Sequence, residues 1–178
     1  MRVLVAWASK HGATAGIAEA IGEELREQGL EVTALPMENV GALEEFDAFV
    51  LGAAVYVGQW VKPAKEFVQR NREVLARRPV WLFSSGPIGE PLKPAADAVD
   101  VGAAMEATAA REHRLFAGRI ARKELGLAEK AMMLALRVPD GDWRDWEDIR
   151  GWARGIAAKL AELPAPEKYR PWAVGGRW

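Results

Sequence analysis

Residues 2–16, RVLVAWASKHGATAG, pass from an apolar run through a small, polar loop into the start of a helical pattern. Arg2 to Trp7 is short, apolar and rich in branched side chains, which suits a strand buried on both faces of a parallel sheet. From Thr14 the period changes. Ile17, Ala18, Ile21 and Leu25 recur at helical spacing, Glu19, Glu23, Glu24 and Arg26 lie between them, and Gly29 follows as a stop. This order puts the loop at the carboxyl end of a strand, where open parallel sheets bind their ligands.

The loop carries Ser9, Lys10, His11, Gly12, Ala13 and Thr14. The hydroxyls of Ser9 and Thr14, the amides of the turn and the positive end of the helix dipole make a cradle for a phosphate, and Gly12 lets the backbone approach closely. The pattern S-x-x-G-x-T matches neither the dinucleotide fingerprint nor the Walker loop. On these residues alone, a polar turn with a helix cap is an equal reading.

The alternation continues down the chain. Leu30–Leu35 reads as a second strand, Asp47–Ala54 as a third, Val61–Leu75 as a helix, Pro79–Ser84 as a fourth strand, Ala103–Ala110 as a short helix and Arg114–Ile120 as a fifth strand. Strands separated by helices imply right-handed crossovers and a parallel sheet covered on both faces. Two helical stretches follow, Leu125–Leu136 and Arg144–Leu163, the second after a turn-rich cluster of Pro139, Asp140, Gly141 and Asp142 that offers N-caps. The expected organisation is one domain over 1–163 and a tail over 164–178, ordered only if its tryptophans dock.

Composition narrows the chemistry. Lys and Arg number 24 against 25 Asp and Glu, so the chain lacks the net basic field that drives nucleic-acid binding, and no nucleic-acid partner is expected. The absence of cysteine excludes disulfides, thiolate catalysis and cysteine-ligated metals, leaving any redox chemistry to a bound cofactor. His11 and His113 are the only histidines and stand in no ligand pattern, so no metal is expected. The start lacks the features of a signal peptide and no stretch approaches the roughly 20 apolar residues that cross a bilayer. A cytoplasmic location is the expectation, with a peripheral contact at the inner face of the membrane left open.

Ser9, Gly12 and Thr14 after a first strand resemble the phosphate loop of the flavodoxin family, whose members bind flavin mononucleotide (FMN) through loops after the first, third and fourth strands. The resemblance implies a doubly wound, five-stranded parallel sheet of order 2-1-3-4-5 with helices on both faces. It implies FMN as cofactor. The second loop would be Ala53, Ala54, Val55, Tyr56, Val57, Gly58 and Trp60, and the third Ser84, Ser85, Gly86, Pro87 and Gly89. GAAVYVGQWVKPAKEFVQRNREVL, the later FAGRI and DWEDIRGWARGIA further resemble the branch containing menaquinone-dependent protoporphyrinogen oxidase. That likeness implies oxidation of protoporphyrinogen IX with a quinone as acceptor. A soluble electron carrier and an interaction protein that has lost FMN are the alternatives.

An isoalloxazine ring needs flat apolar cover and backbone donors. Tyr56 and Trp60 are the stacking candidates, with helix capping or packing under a neighbouring loop the alternative for Trp60. Lys10 either touches the phosphate or is solvated. No Asp or Glu lies between Asp47 and Glu66. Fewer negative charges near a flavin leave its reduced anion less penalised, so a less negative second reduction potential and two-electron turnover are expected.

Residues 121–137 read as a broad-faced apolar helix with early charges. Packing on the sheet, a homodimer contact, and a membrane or lipophilic-substrate surface are all open. Arg119 and Arg122 are candidates for pairing with porphyrin propionates. Trp143, Trp146 and Trp152 are expected to pack the last helix and the turn before it.

Overall fold

The computed structural model describes residues 1–9, 12–56, 58–86, 99–121, 126, 127, 130, 131 and 140–164. In chain order its elements are β1 (Arg2–Ala8), α1 (Ala13–Glu27), β2 (Glu31–Pro36), a 3-10 turn (Met37–Asn39), β3 (Ala48–Tyr56), β4 (Gln59–Trp60) and α2 (Lys62–Leu75). After these come β5 (Val80–Ser85), α3 (Gly102–Thr108), β6 (Glu112–Phe116), β7 (Arg119–Ile120), β8 (Gly141–Asp142) and α4 (Trp146–Ala161).

Five strands pair in parallel in the order β2-β1-β3-β5-β6, while the two-residue β4 folds back antiparallel on β3. Counted by the five long strands alone, this is the expected 2-1-3-4-5. Crossovers leave β1 and β3 in opposite directions, so the crevice between their carboxyl ends is the topological switch point.

Two apolar layers hold the sheet. On one face Ile17, Ile21 and Leu25 of α1 and Ile149, Trp152 and Ile156 of α4 bury Val3, Val5, Val50 and Trp81. On the other, Ala64, Phe67 and Val68 of α2 cover Leu4, Phe49, Leu51 and Leu82. Central strands covered twice explain why β1, β3 and β5 read as continuous apolar runs. One close approach is obligatory: a Cβ at Gly52 would sit 1.9 Å from Phe83 Cζ, so the Phe83 ring fills the space that any side chain there would need.

The fifth strand departs from expectation. The sheet strand is Glu112–Phe116, and Arg119–Ile120 leaves to pair antiparallel with Gly141–Asp142 in a separate ribbon. Ala117 and Gly118 break the run, and Gly118 accepts a hydrogen bond from Trp143 N–H at 3.1 Å. The last helix starts later than its turn-rich prelude suggests, because Asp142 is occupied by Arg144 and the N-cap is Asp145, whose Oδ1 accepts from Asp148 N–H at 3.0 Å. Trp152 is buried against Phe83 and Phe116 as expected, but Trp146 is 40% exposed and packs no core. Within 121–137 the structure describes a helical conformation at Leu127, Lys130 and Ala131; most of that stretch, Arg122 included, and the tail beyond Pro164 lie outside the described residues. Among the described residues no helix is long and apolar enough to cross a membrane.

Candidate functional site

Three strand ends meet at the switch point, and each loop is shaped by a local rule. In the first, Gly12 adopts φ 76°, a left-handed conformation that ordinary residues avoid, and its N–H donates to Ser9 Oγ at 3.0 Å. Gly12 is also the N-cap of α1, so no side chain caps the helix, and its first turn holds no acid. Among the described residues, the leading amides of this 15-residue helix therefore have no side-chain cap. Thr14 is fully buried and its Oγ1 lies 2.7 Å from Ser85 Oγ, a bond that ties the first loop to the third. Ala13 opens the helix; Lys10 and His11 lie outside the described residues.

The second loop is a hairpin. β3 continues past Ala53, the partner of Ala8, through Ala54 and Val55 to Tyr56. The chain then reverses, with Gly58 at φ 74°, so that Val55 pairs with Trp60 and Tyr56 with Gln59; Val57 lies outside the described residues. It is braced by Asp100 N–H to the Gly58 carbonyl at 2.7 Å and by Lys65 Nζ to Gln59 Oε1 at 2.6 Å. Tyr56 stands at the tip, 39% exposed. Trp60 is only 3% exposed and its Nε1 donates to Ser84 Oγ at 2.7 Å. With no open ring face, it packs under the loop instead of offering a stacking surface.

In the third loop Ser84 and Ser85 are both buried, and because they are neighbours on a strand they point to opposite faces of the sheet. Ser85 reaches Thr14 and the first loop; Ser84 reaches Trp60 and His113, whose Nε2 is 2.8 Å away. Burial pushes the His113 pKa below the ordinary imidazole value. These hydroxyls are the floor that ties the loops together. Gly86, the last described residue of the third loop, has its N–H bonded to the Phe116 carbonyl at 3.4 Å. Pro87 and Gly89 lie outside the described residues.

Beside the first loop opens a cleft of about 530 Å³, lined by Trp7, Ala8, Ser9, Gly12 and Ala15 together with Pro36, Met37, Glu38, Val61 and Pro63. The last five escaped sequence reasoning. Parallel pairing of Trp7 with Pro36 supplies the missing signal, because it brings the end of β2 level with the end of β1. Arg144 also escaped it: its guanidinium packs on the first turn of α1 from 131 residues away. Among the described residues no cluster of three or more His, Cys, Asp or Glu could hold a metal.

A doubly wound sheet with three convergent loops and an uncapped helix N-terminus at its switch point defines an α/β cofactor-binding domain of the flavodoxin architecture. The chain belongs to the flavodoxin-domain family, whose model matches residues 4–145. Solved structures share the fold. A flavodoxin from the domain Archaea is 17% identical, with 90% of this chain and 99% of that one aligned at a TM-score of 0.60. Flavodoxin 2 from Bacillus cereus is 23% identical over 89% and 99% at 0.61. Rubredoxin oxygen:oxidoreductase from Desulfovibrio gigas is 11% identical over 90% of this chain but 36% of its own, also at 0.61. No curated protein matches the chain in sequence.

The family implies a flavin cofactor, FMN, and the described part of the first loop suits its phosphate: a left-handed glycine cap, leading amides without a side-chain cap and no first-turn carboxylate favour a dianion.

Proposed function

We propose that the protein holds FMN across the three loops and uses it to oxidise protoporphyrinogen IX, with a quinone as electron acceptor. The observation that carries the flavin reading is the 2.7 Å bond between Thr14 and Ser85, 71 residues apart, which makes the first and third loops one unit beside the Tyr56 hairpin. The first-turn amides of α1, beginning at Ala13, would receive the phosphate, with the turn before them shaped by the Gly12 N–H bond to Ser9. Tyr56 would cover the ring, and Gly86 would admit its edge. Lys10, His11, Val57, Pro87 and Gly89 complete the proposed set. FMN supplies electron exchange; the chain binds it, orients it and shields it.

The substrate rests on the order of the three segments that resemble the protoporphyrinogen-oxidising branch, on the acid-free second loop, and on Leu127, helical in conformation and 89% exposed, where a lipophilic partner could dock. Arg119, beside that stretch, suits a propionate. A peripheral contact with the inner face of the membrane and a homodimer through 121–137 belong to the same proposal. The test is anaerobic: purified protein should be yellow, and protoporphyrinogen should bleach it, with a quinone restoring the colour. Colourless protein that fails to take up FMN overturns the flavin reading. Bleaching by a reduced one-electron donor but not by the porphyrinogen favours an electron carrier instead, a reading that the flavodoxins among the structural neighbours support.

A further inference from the structure

The ribbon of β7 and β8 ends on the first turn of α1. Trp143 N–H bonds back to Gly118, and Arg144 then turns inward until its side chain is only 10% exposed. Its Nε and Nη2 donate to Asp142 Oδ1 and Oδ2 at 2.8 and 2.5 Å, its backbone N–H donates to Oδ1 at 3.2 Å, and its guanidinium stands 4.4 Å over the Trp146 ring. Nη1 points at the Ala13 carbonyl from 3.5 Å. The seat exists because residue 16 is glycine: a Cβ there would lie 2.7 Å from Nη1.

The positive end of a helix dipole disfavours a neighbouring cation. Here the fork to Asp142 neutralises the guanidinium, and that bonding holds the Asp142 carboxyl below the usual carboxylate range. The pair is thus close to neutral as a unit. Its charge neither recruits nor repels a phosphate strongly, while its rigid, bidentate geometry can hold backbone in place.

We propose that Arg144 is a positioning residue, clamped by Asp142 and seated on Gly16, that fixes the first turn of α1 in the conformation that receives the cofactor phosphate. This rests on the flavin reading and adds to it a device that the three loops do not contain. The clamp acts on the phosphate and leaves the ring alone.

Riboflavin, which lacks the phosphate, separates the two effects. Apoprotein of the full chain is titrated with FMN and with riboflavin by flavin fluorescence, for wild type, Arg144→Ala, Arg144→Lys, Asp142→Asn and Gly16→Ala. Arg144→Ala should weaken FMN roughly tenfold while riboflavin changes less than about twofold. Gly16→Ala, which evicts the guanidinium without altering charge, should reproduce this and serves if Arg144→Ala does not fold. Arg144→Lys, lacking the fork, should not rescue. Equal losses for both flavins, full rescue by Lys, or tighter FMN binding in Asp142→Asn would each overturn the positioning role, the last two by showing that the pair works through charge. Wild-type protein that binds neither flavin overturns the flavin reading itself, and this inference with it.

Discussion

Trp60 Nε1 donates to Ser84 Oγ at 2.7 Å, and so decides how that buried hydroxyl is used. An indole N–H can only donate, so Ser84 accepts from it and turns its own proton to His113 Nε2, 2.8 Å away. All three groups are satisfied when His113 is neutral with its proton on Nδ1. A protonated His113 would present a second donor to Ser84 and strip the hydroxyl proton of its acceptor.

A pH dependence follows. His113 is held by burial below the 6.5 of a free imidazole, so between the folded and unfolded values the unfolded chain binds more protons and stability rises with pH. The contribution of His113 is complete above the unfolded value and is lost as pH falls through the folded one. Urea unfolding at pH 8 and pH 5 should show wild type losing stability relative to His113→Gln, by no more than about 1 kcal/mol because the half-buried ring is screened by water. An unchanged difference between the two proteins would refute the network.

Thr14 and Ser85 make a second prediction. Replacing Thr14 with Val keeps shape but leaves the Ser85 hydroxyl buried without its partner, which costs about 1–3 kcal/mol. Ser85→Ala should cost a similar amount. The double variant should be less destabilised than the sum of the two, because no orphaned hydroxyl remains, and a double-mutant cycle by denaturant unfolding measures the difference. Additive effects would mean that the bond does not couple the loops.

Gly52 and Phe83 test the sheet beneath the site. Gly52→Ala places a methyl 1.9 Å from the ring, and Phe83 is itself wedged against Phe116 and Trp152 with centroids 6.2 Å from each. Destabilisation of about 3 kcal/mol is expected, at the upper end for overpacking. Adding Phe83→Leu should recover part of it in thermal melts. A harmless Gly52→Ala would show that the ring has room to move.

The strand runs and the loop positions were legible because parallel strands buried on both faces are written as unbroken apolar stretches, and such sheets bind at fixed ends. VWLFSS could be read as a strand ending at a site; what its serines do could not. Thr14 and Ser85 read as ligands in sequence because small hydroxylated residues at strand ends suit a phosphate, but their bond to each other, between residues 71 positions apart, leaves no local signal. Trp60 takes one of the alternatives its sequence left open, packing under the loop with its N–H on Ser84. RLFAGRI reads as one strand because its apolar residues continue across Ala117 and Gly118, whereas the break is set by a distant partner, Trp143. Arg144 carried no local signal at all.

The acid-free second loop leads to a redox prediction. No carboxylate occurs in residues 48–65, and the hairpin tip at Tyr56 and Gly58 is where the ring would lie. A negative charge at the tip would oppose the reduced anion by on the order of 1 kcal/mol at partly solvated distances. Potentiometric titration of the FMN-loaded wild type should therefore give a single two-electron wave. Gly58→Asp should lower the second midpoint and split the wave, while Gly58→Asn, which meets the same left-handed φ of 74° without the charge, should leave it single. The Asn variant removes backbone strain from the comparison, since both substitutions bear it alike. Two widely separated waves already present in the wild type would mean that its potentials are set by something other than missing charge in this loop.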